Sequence, residues 1–249
     1  MYYIYSVSYF NNVFGILWCF MLSFNNLAGF CSDVQFIRCA CMLHYRFEVI
    51  NNHLRAIASN WNFKREALVE KVTCEAFLSE LSYGHKLCDS IEMYRYCYGQ
   101  FCDMVNLINK TYQLHLLGSI SASFLKTLFY IYFSMFGYVI GTNGIKEHDE
   151  LTRSVMWGVY YSIRFLTIIW VANITTKQAL KAKSLITDIN NRYLDNNTKE
   201  ELQLFLNQIS SRAIEFTACD FFTLNTHLIT SAIAAGATYL VILVQFHSG

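Results

Sequence analysis

Four apolar stretches, residues 5–30, 117–140, 155–174 and 223–246, dominate this chain. Each is long enough for a helix to cross a hydrocarbon core, which takes about 20 residues. Lipid offers the backbone no hydrogen bonds, so a stretch that crosses it must satisfy its own amides, and at this length that means an α-helix. The first and last stretches contain no Asp, Glu, Lys or Arg at all. Proline is absent, and hydrophobic residues make up 54% of the chain against 15% charged, too apolar a balance for an ordinary soluble domain. The expected class is therefore an all-α, polytopic membrane protein. A net charge of +1 gives no basic footprint for nucleic acid.

Charge between the stretches sets an orientation. Nine Lys or Arg lie from Arg38 to Lys110 and six from Lys177 to Arg212, whereas the short connector near residue 148 sets Lys146 and Arg153 against Glu147, Asp149 and Glu150. Basic regions stay in the cytosol. The two basic regions are thus expected inside, the acidic connector outside, and both ends of this chain outside. The opening MYYIYSVSYF lacks the basic start and cleavage pattern of a signal peptide. An outside start without one is expected if spanning helices precede this chain.

The cytosolic regions, 31–116 and 175–222, read as a helical anchor continuous with the membrane helices, and residues 1–249 as one unit. Leu43, Phe47, Ile50, Leu54 and Ile57 recur at three and four residues. So do Ile91, Tyr94, Tyr98, Phe101, Val105, Ile108 and Tyr112, with Cys88 ahead of them. Such stripes need a partner to bury them. Polar turn formers at Ser59–Asn62 and Asn190–Asn197 predict breaks.

The fourth stretch closes on Thr238-Tyr239, five aliphatic residues and Gln245-Phe246. This ending resembles the hallmark of insect gustatory receptors, in the last of their seven helices. Upstream, Ile214 to Phe222 with Leu224 and Asn225 is similar to that family's approach to the helix, where a glycine commonly precedes the two aromatics; here Asp220 takes that place. Gln35-Phe36, Arg46-Phe47 and Asn51 look like the continuation after helix four. The resemblance covers the whole chain and implies an insect chemoreceptor-type seven-helix channel subunit, truncated at its N-terminus to helices four to seven.

What the resemblance implies is specific. The family forms tetrameric, ligand-gated cation channels in the plasma membrane of sensory dendrites, with an extracellular C-terminus, assembled from like or mixed gustatory receptor subunits and opened by small-molecule tastants. The last helix would line the pore. Gln245 would then sit at its outer mouth, with Phe246, Val244 and Val241 as a hydrophobic constriction. Thr238 and Tyr239 are expected to bond between helices, and Gly236, among Ala234, Ala235 and Ala237, to allow close helix approach. An odorant-type subunit is the alternative, and a secondary transporter a more distant one, since no paired Gly or Pro interruptions appear.

Charges inside the stretches are candidates for function. Arg164, near the middle of the third, is expected to face a cavity and line the ligand vestibule, or to be paired structurally. Lys126 is expected to snorkel toward the cytosolic boundary. Nine cysteines show no zinc spacing and are expected as free thiols. No HExxH, GxSxG, P-loop or dinucleotide motif occurs, so neither an enzyme nor a cofactor is expected. The sequons at Asn109 and Asn196 fall on the cytosolic side and should go unused.

Overall fold

The computed structural model describes residues 2–68, 74–136, 144–192, 194–212 and 214–248; side chains are not described at 2–14, 18–19, 22, 60–68, 74–85, 136, 144–150 and 247–248. Helices α1 (Tyr2–Leu68), α2 (Cys74–Phe136), α3 (Gly144–Asn190) and α4 (Asn196–Ser211) are followed by the two-residue strands β1 (Thr217–Ala218) and β2 (Phe222–Thr223), then by α5 (Thr226–Ser248). At 1.5 Å per residue the 67 residues of α1 extend about 100 Å, some three times a hydrocarbon core. Helices α1 and α2 therefore run well beyond any membrane they cross.

Among the described residues, three helical segments are long and apolar enough to span: Lys86–Met135, Leu151–Asn190 and Thr226–Phe246. They contain 117–135 of the predicted stretch 117–140 and all of 155–174; residues 137–140 lie outside the described residues. Stretch 5–30 lies within α1, and half of its side chains are not described. The fourth begins later than expected, because Phe222 and Thr223 belong to β2 and the helix starts at Thr226.

Packing follows a seven-residue rhythm. On α3, Tyr161, Phe165, Ile168, Ala172, Thr175, Ala179, Ala182, Ile186 and Ile189 are buried at unbroken four-three spacing. On α1, Phe36, Ala40, Leu43, Phe47, Ile50 and Leu54 keep the same spacing. That is the knob pattern of helices packed as a left-handed supercoil. The alanines of α3 let backbones come close enough for side chains to reach carbonyls across the interface. Thr175 Oγ1 donates to the Ala40 carbonyl at 3.1 Å, Asn51 Nδ2 to Gln178 at 2.7 Å and Tyr98 OH to Ala179 at 3.2 Å. Helix α4 closes the bundle with Leu202, Phe205 and Ile209. An aromatic cluster fixes its centre: Phe47 meets Tyr98 edge-on at 5.3 Å, and Tyr98 meets Phe205 at 5.4 Å.

Two expectations about chain breaks divide. The pause at Asn190–Asn197 is present between α3 and α4, with Asp195 capping α4 through the Thr198 amide. The pause at Ser59–Asn62 is absent, since α1 continues to Leu68. Ser59 Oγ donates to the Ala56 carbonyl at 3.0 Å within the helix, and neither proline nor glycine interrupts it. Glu147, Asp149 and Glu150, expected in a connector, belong to the start of α3.

The approach to α5 is a hairpin, pairing Thr217 with Thr223 and Ala218 with Phe222. Its turn places Cys219 at φ 51° and Asp220 at φ 58°, with the Phe221 amide donating to the Ala218 carbonyl at 3.1 Å. Two successive left-handed residues match the hairpin twist, and glycine, asparagine or aspartate adopt them most easily. That accounts for Asp220 where the family commonly has glycine: the backbone demands a positive φ, and Thr217 Oγ1 steadies the carboxylate at 3.2 Å. Asp220→Gly is expected to stabilise the protein by about 1 kcal/mol, and Asp220→Val to destabilise it, read as opposite shifts of the thermal midpoint.

Candidate functional site

Polar groups meet where α1, α2 and α3 pack together. Asp33 of α1, with its side chain 2% exposed, accepts from Arg164 Nε of α3, from His115 Nε2 of α2 at 2.7 Å and from Ser119 Oγ at 2.9 Å. Arg164 also donates through Nη2 to Ser119 Oγ at 3.2 Å. Gly29 makes room for the guanidinium, since a Cβ there would lie 3.0 Å from Arg164 Nη2. One carboxylate thus ties three helices together, and the charge of Arg164 is met inside the protein, as a desolvated ion pair requires.

Above this knot lies a second. Lys126 Nζ of α2 donates to Asn26 Oδ1 and to the Tyr161 hydroxyl, both at 3.1 Å, and sits 4.5 Å from the Tyr161 ring centroid. Tyr161 OH donates to the same Asn26 oxygen at 3.2 Å. The Lys126 ammonium, expected to snorkel, is held between helices by an amide and a phenol. Tyr161 is itself gripped by stacking on Tyr130 at 6.0 Å and Trp157 at 5.9 Å.

Both knots border one cavity of about 410 Å³, walled by Asn25, Asn26, His115, Ser123, Lys126 and Arg164 among others. Arg164 is therefore both paired structurally and exposed to a cavity, the two placements weighed from the sequence. Asp33, His115, Ser119, Asn26 and Tyr161 were not anticipated there. The signal was present for one of them. Asp33 is the sole acidic residue before Glu48, and a mid-span arginine needs a counter-charge.

The other candidate region is α5. Asn225 caps it, accepting from the Leu228 amide at 3.1 Å. Midway, Gly236 is buried against α2, and a Cβ there would fall 2.9 Å from Leu128 Cδ2. Ala234, Ala235 and Ala237 are exposed, so the close approach expected of the small-residue patch rests on Gly236 alone. Thr238 Oγ1 donates to the Ala234 carbonyl of its own helix at 2.9 Å, where a bond between helices was expected. Beyond Gly236 the helix is largely bare: Tyr239 is 63% exposed, Val241 56% and Phe246 83%, while Gln245 is exposed and Val244 half-buried. An apolar groove of about 350 Å³ runs between α5 and the α2–α3 pair, lined by Phe124, Leu128, Phe165, Ile233 and Gly236 among others.

Comparison with known proteins places these features. The family model described as 7tm chemosensory receptor matches residues 1–248. Gustatory receptor 28b of Drosophila melanogaster is 24% identical over 204 residues, covering 81% of this chain and 40% of that protein. The same fly's gustatory receptor for sugar taste 43a is 25% identical over 101 residues, covering 41% of this chain and 24% of that protein. This chain thus spans less than half the length of the curated relatives it matches. The matched family is one of receptors, not of enzymes.

Proposed function

The chain belongs to the 7tm chemosensory receptor family, and from that premise we propose that it is a gustatory receptor subunit acting as a ligand-gated cation channel in the plasma membrane of sensory neurons. The observation that carries the reading is the bareness of α5. The most apolar helix of the chain leaves Tyr239, Val241 and Phe246 uncovered by its own fold. Apolar side chains left bare around so much of a helix offer an interaction surface. In a ring of four subunits, identical or mixed, each α5 meets its neighbours around a central axis. Gln245 then offers its amide to partly hydrated cations, and Phe246, Val244 and Val241 close the path by excluding water.

In this arrangement residues 5–30, 117–140, 155–174 and 226–246 cross the membrane. Regions 31–116 and 175–222 form a cytosolic anchor, in keeping with their basic charge, and the C-terminus is extracellular. A small-molecule tastant occupies the cavity that Arg164 lines. It opens the pore only to the extent that it binds the open state more tightly than the closed one.

The test is electrical. Cells expressing the full-length receptor are perfused with sugars and bitter compounds, evoked cation current is recorded, and the recording is repeated for Gln245→Ala. The expected result is a shifted reversal potential under bi-ionic conditions with unaltered surface expression. Identical permeability ratios and gating in the variant remove Gln245 from the pore.

A further inference from the structure

The cavity between α1, α2 and α3 is unbalanced in charge. Asp33 lies behind its wall and is already engaged by Arg164, His115 and Ser119. Lys126, on the wall itself, has neutral partners in Asn26 and Tyr161. Among the described residues that line the space there is no carboxylate. Asp33 is the only acidic residue in 1–47, and none occurs in 104–146, 151–187 or 221–249.

An ammonium in a low-dielectric interior is strongly disfavoured without a counter-charge. The Lys126 ammonium has three protons to donate, and two are accounted for by Asn26 Oδ1 and the Tyr161 hydroxyl. The third is left for whatever occupies the cavity, which Asn25 and Ser123 also line. A volume of about 410 Å³ falls within the range of small-ligand sites.

We infer that this cavity binds an oxyanion, a carboxylate or a phosphate, which supplies Lys126 with the counter-charge the chain itself lacks. The site takes anions in preference to neutral molecules of the same shape, and the preference resides in Lys126 and not in Arg164, whose charge Asp33 already meets. The inference rests on the cavity being a ligand site; it does not depend on α5 lining a pore.

Benzoate and benzamide, which differ little but in charge, are the probes. The purified full-length receptor in phosphatidylcholine nanodiscs is titrated calorimetrically with each. Benzoate is expected to bind saturably and at least about tenfold more tightly than benzamide, as a charge-assisted hydrogen bond in a desolvated site requires. Lys126→Met abolishes that preference and Lys126→Arg keeps it. Including phosphatidic acid in the nanodiscs separates two sources of the anion. Loss of benzoate binding there identifies a lipid phosphate as the occupant, and unchanged binding identifies a soluble anion; either supports the site.

Equal binding of benzoate and benzamide to the unaltered receptor overturns it, a comparison that needs no variant to fold. So does an anion preference that survives Lys126→Met. The two readings fail separately: benzoate preference without evoked current leaves the anion site standing and removes the cavity from gating, whereas currents evoked by neutral tastants with no anion preference do the reverse.

Discussion

Asp33→Ala is expected to cost about 3–5 kcal/mol of stability, the penalty for leaving one partner of a buried ion pair without the other. The substitution strips Arg164 of its counter-ion and His115 and Ser119 of their acceptor in a single step. With Arg164 only 10% exposed at its side chain, water is poorly placed to compensate. The measurement is the thermal midpoint of the purified protein in nanodiscs. A diagnostic second variant is Asp33→Ala combined with Arg164→Met, which removes both charges and restores most of the loss, because an apolar replacement for a buried pair is often neutral or better. If Asp33→Ala melts like the parent, or the double variant is worse than the single one, the knot does not hold the three helices together.

Phe47→Ala is the second substitution of comparable effect, also about 3–5 kcal/mol. Phe47 is 1% exposed and touches Tyr98 at 5.3 Å and Phe101 at 5.7 Å, so truncation opens a void at the meeting point of α1 and α2. Its effect spreads to α4, because Tyr98 hands the contact on to Phe205. Phe47→Leu retains much of the volume and should lose no more than about 1.5 kcal/mol. Comparable midpoints for the two variants rule out this packing. In the proposed tetramer the same region is the anchor, so the alanine variant is expected to lose assembled receptor on size-exclusion chromatography before it loses helicity.

Periodicity made the long-range packing legible before any coordinates. Ile91, Tyr98, Val105 and Ile108 on α2 and Leu43, Phe47, Ile50 and Leu54 on α1 were picked from spacing and are all buried, because a helix whose apolar residues recur every three or four positions has only one face to hide. Breaks were less legible. Ser59 and the asparagines near it favour turns on average, yet such a preference is weak and the helix continues through them, with the Ser59 hydroxyl bonded to the Ala56 carbonyl.

The polar knots were half legible. Single-helix reasoning marks Arg164 and Lys126 as out of place, but the identity of a partner depends on which helices lie side by side and at what height. Asp33 is 131 residues from Arg164 in the chain, and nothing local ties the two. The hairpin was invisible for a related reason. Two strands of two residues leave no alternation to detect, and the left-handed turn shows in the sequence only as an aspartate where glycine was expected.

That hairpin has a mechanical consequence. Asn109 of α2 holds its incoming strand by two bonds, donating to the Glu215 carbonyl at 2.7 Å and accepting from the Thr217 amide at 3.4 Å, while Phe216 seats edge-on against Phe36 at 5.6 Å. The root of α5 is therefore fixed to α1 and α2, its middle meets only the tips of Leu128 and Phe124 at Gly236, and its far half is uncovered. This is a cantilever. From Thr226 to Gln245 the arm is about 28 Å long at 1.5 Å per residue. A tilt of about 5° at the root moves Gln245 sideways by roughly 2.5 Å at that length, close to the width of a water molecule. Small rearrangements around Asn109 are thus geared up nearly to molecular dimensions at the tip, with no bending of the helix itself.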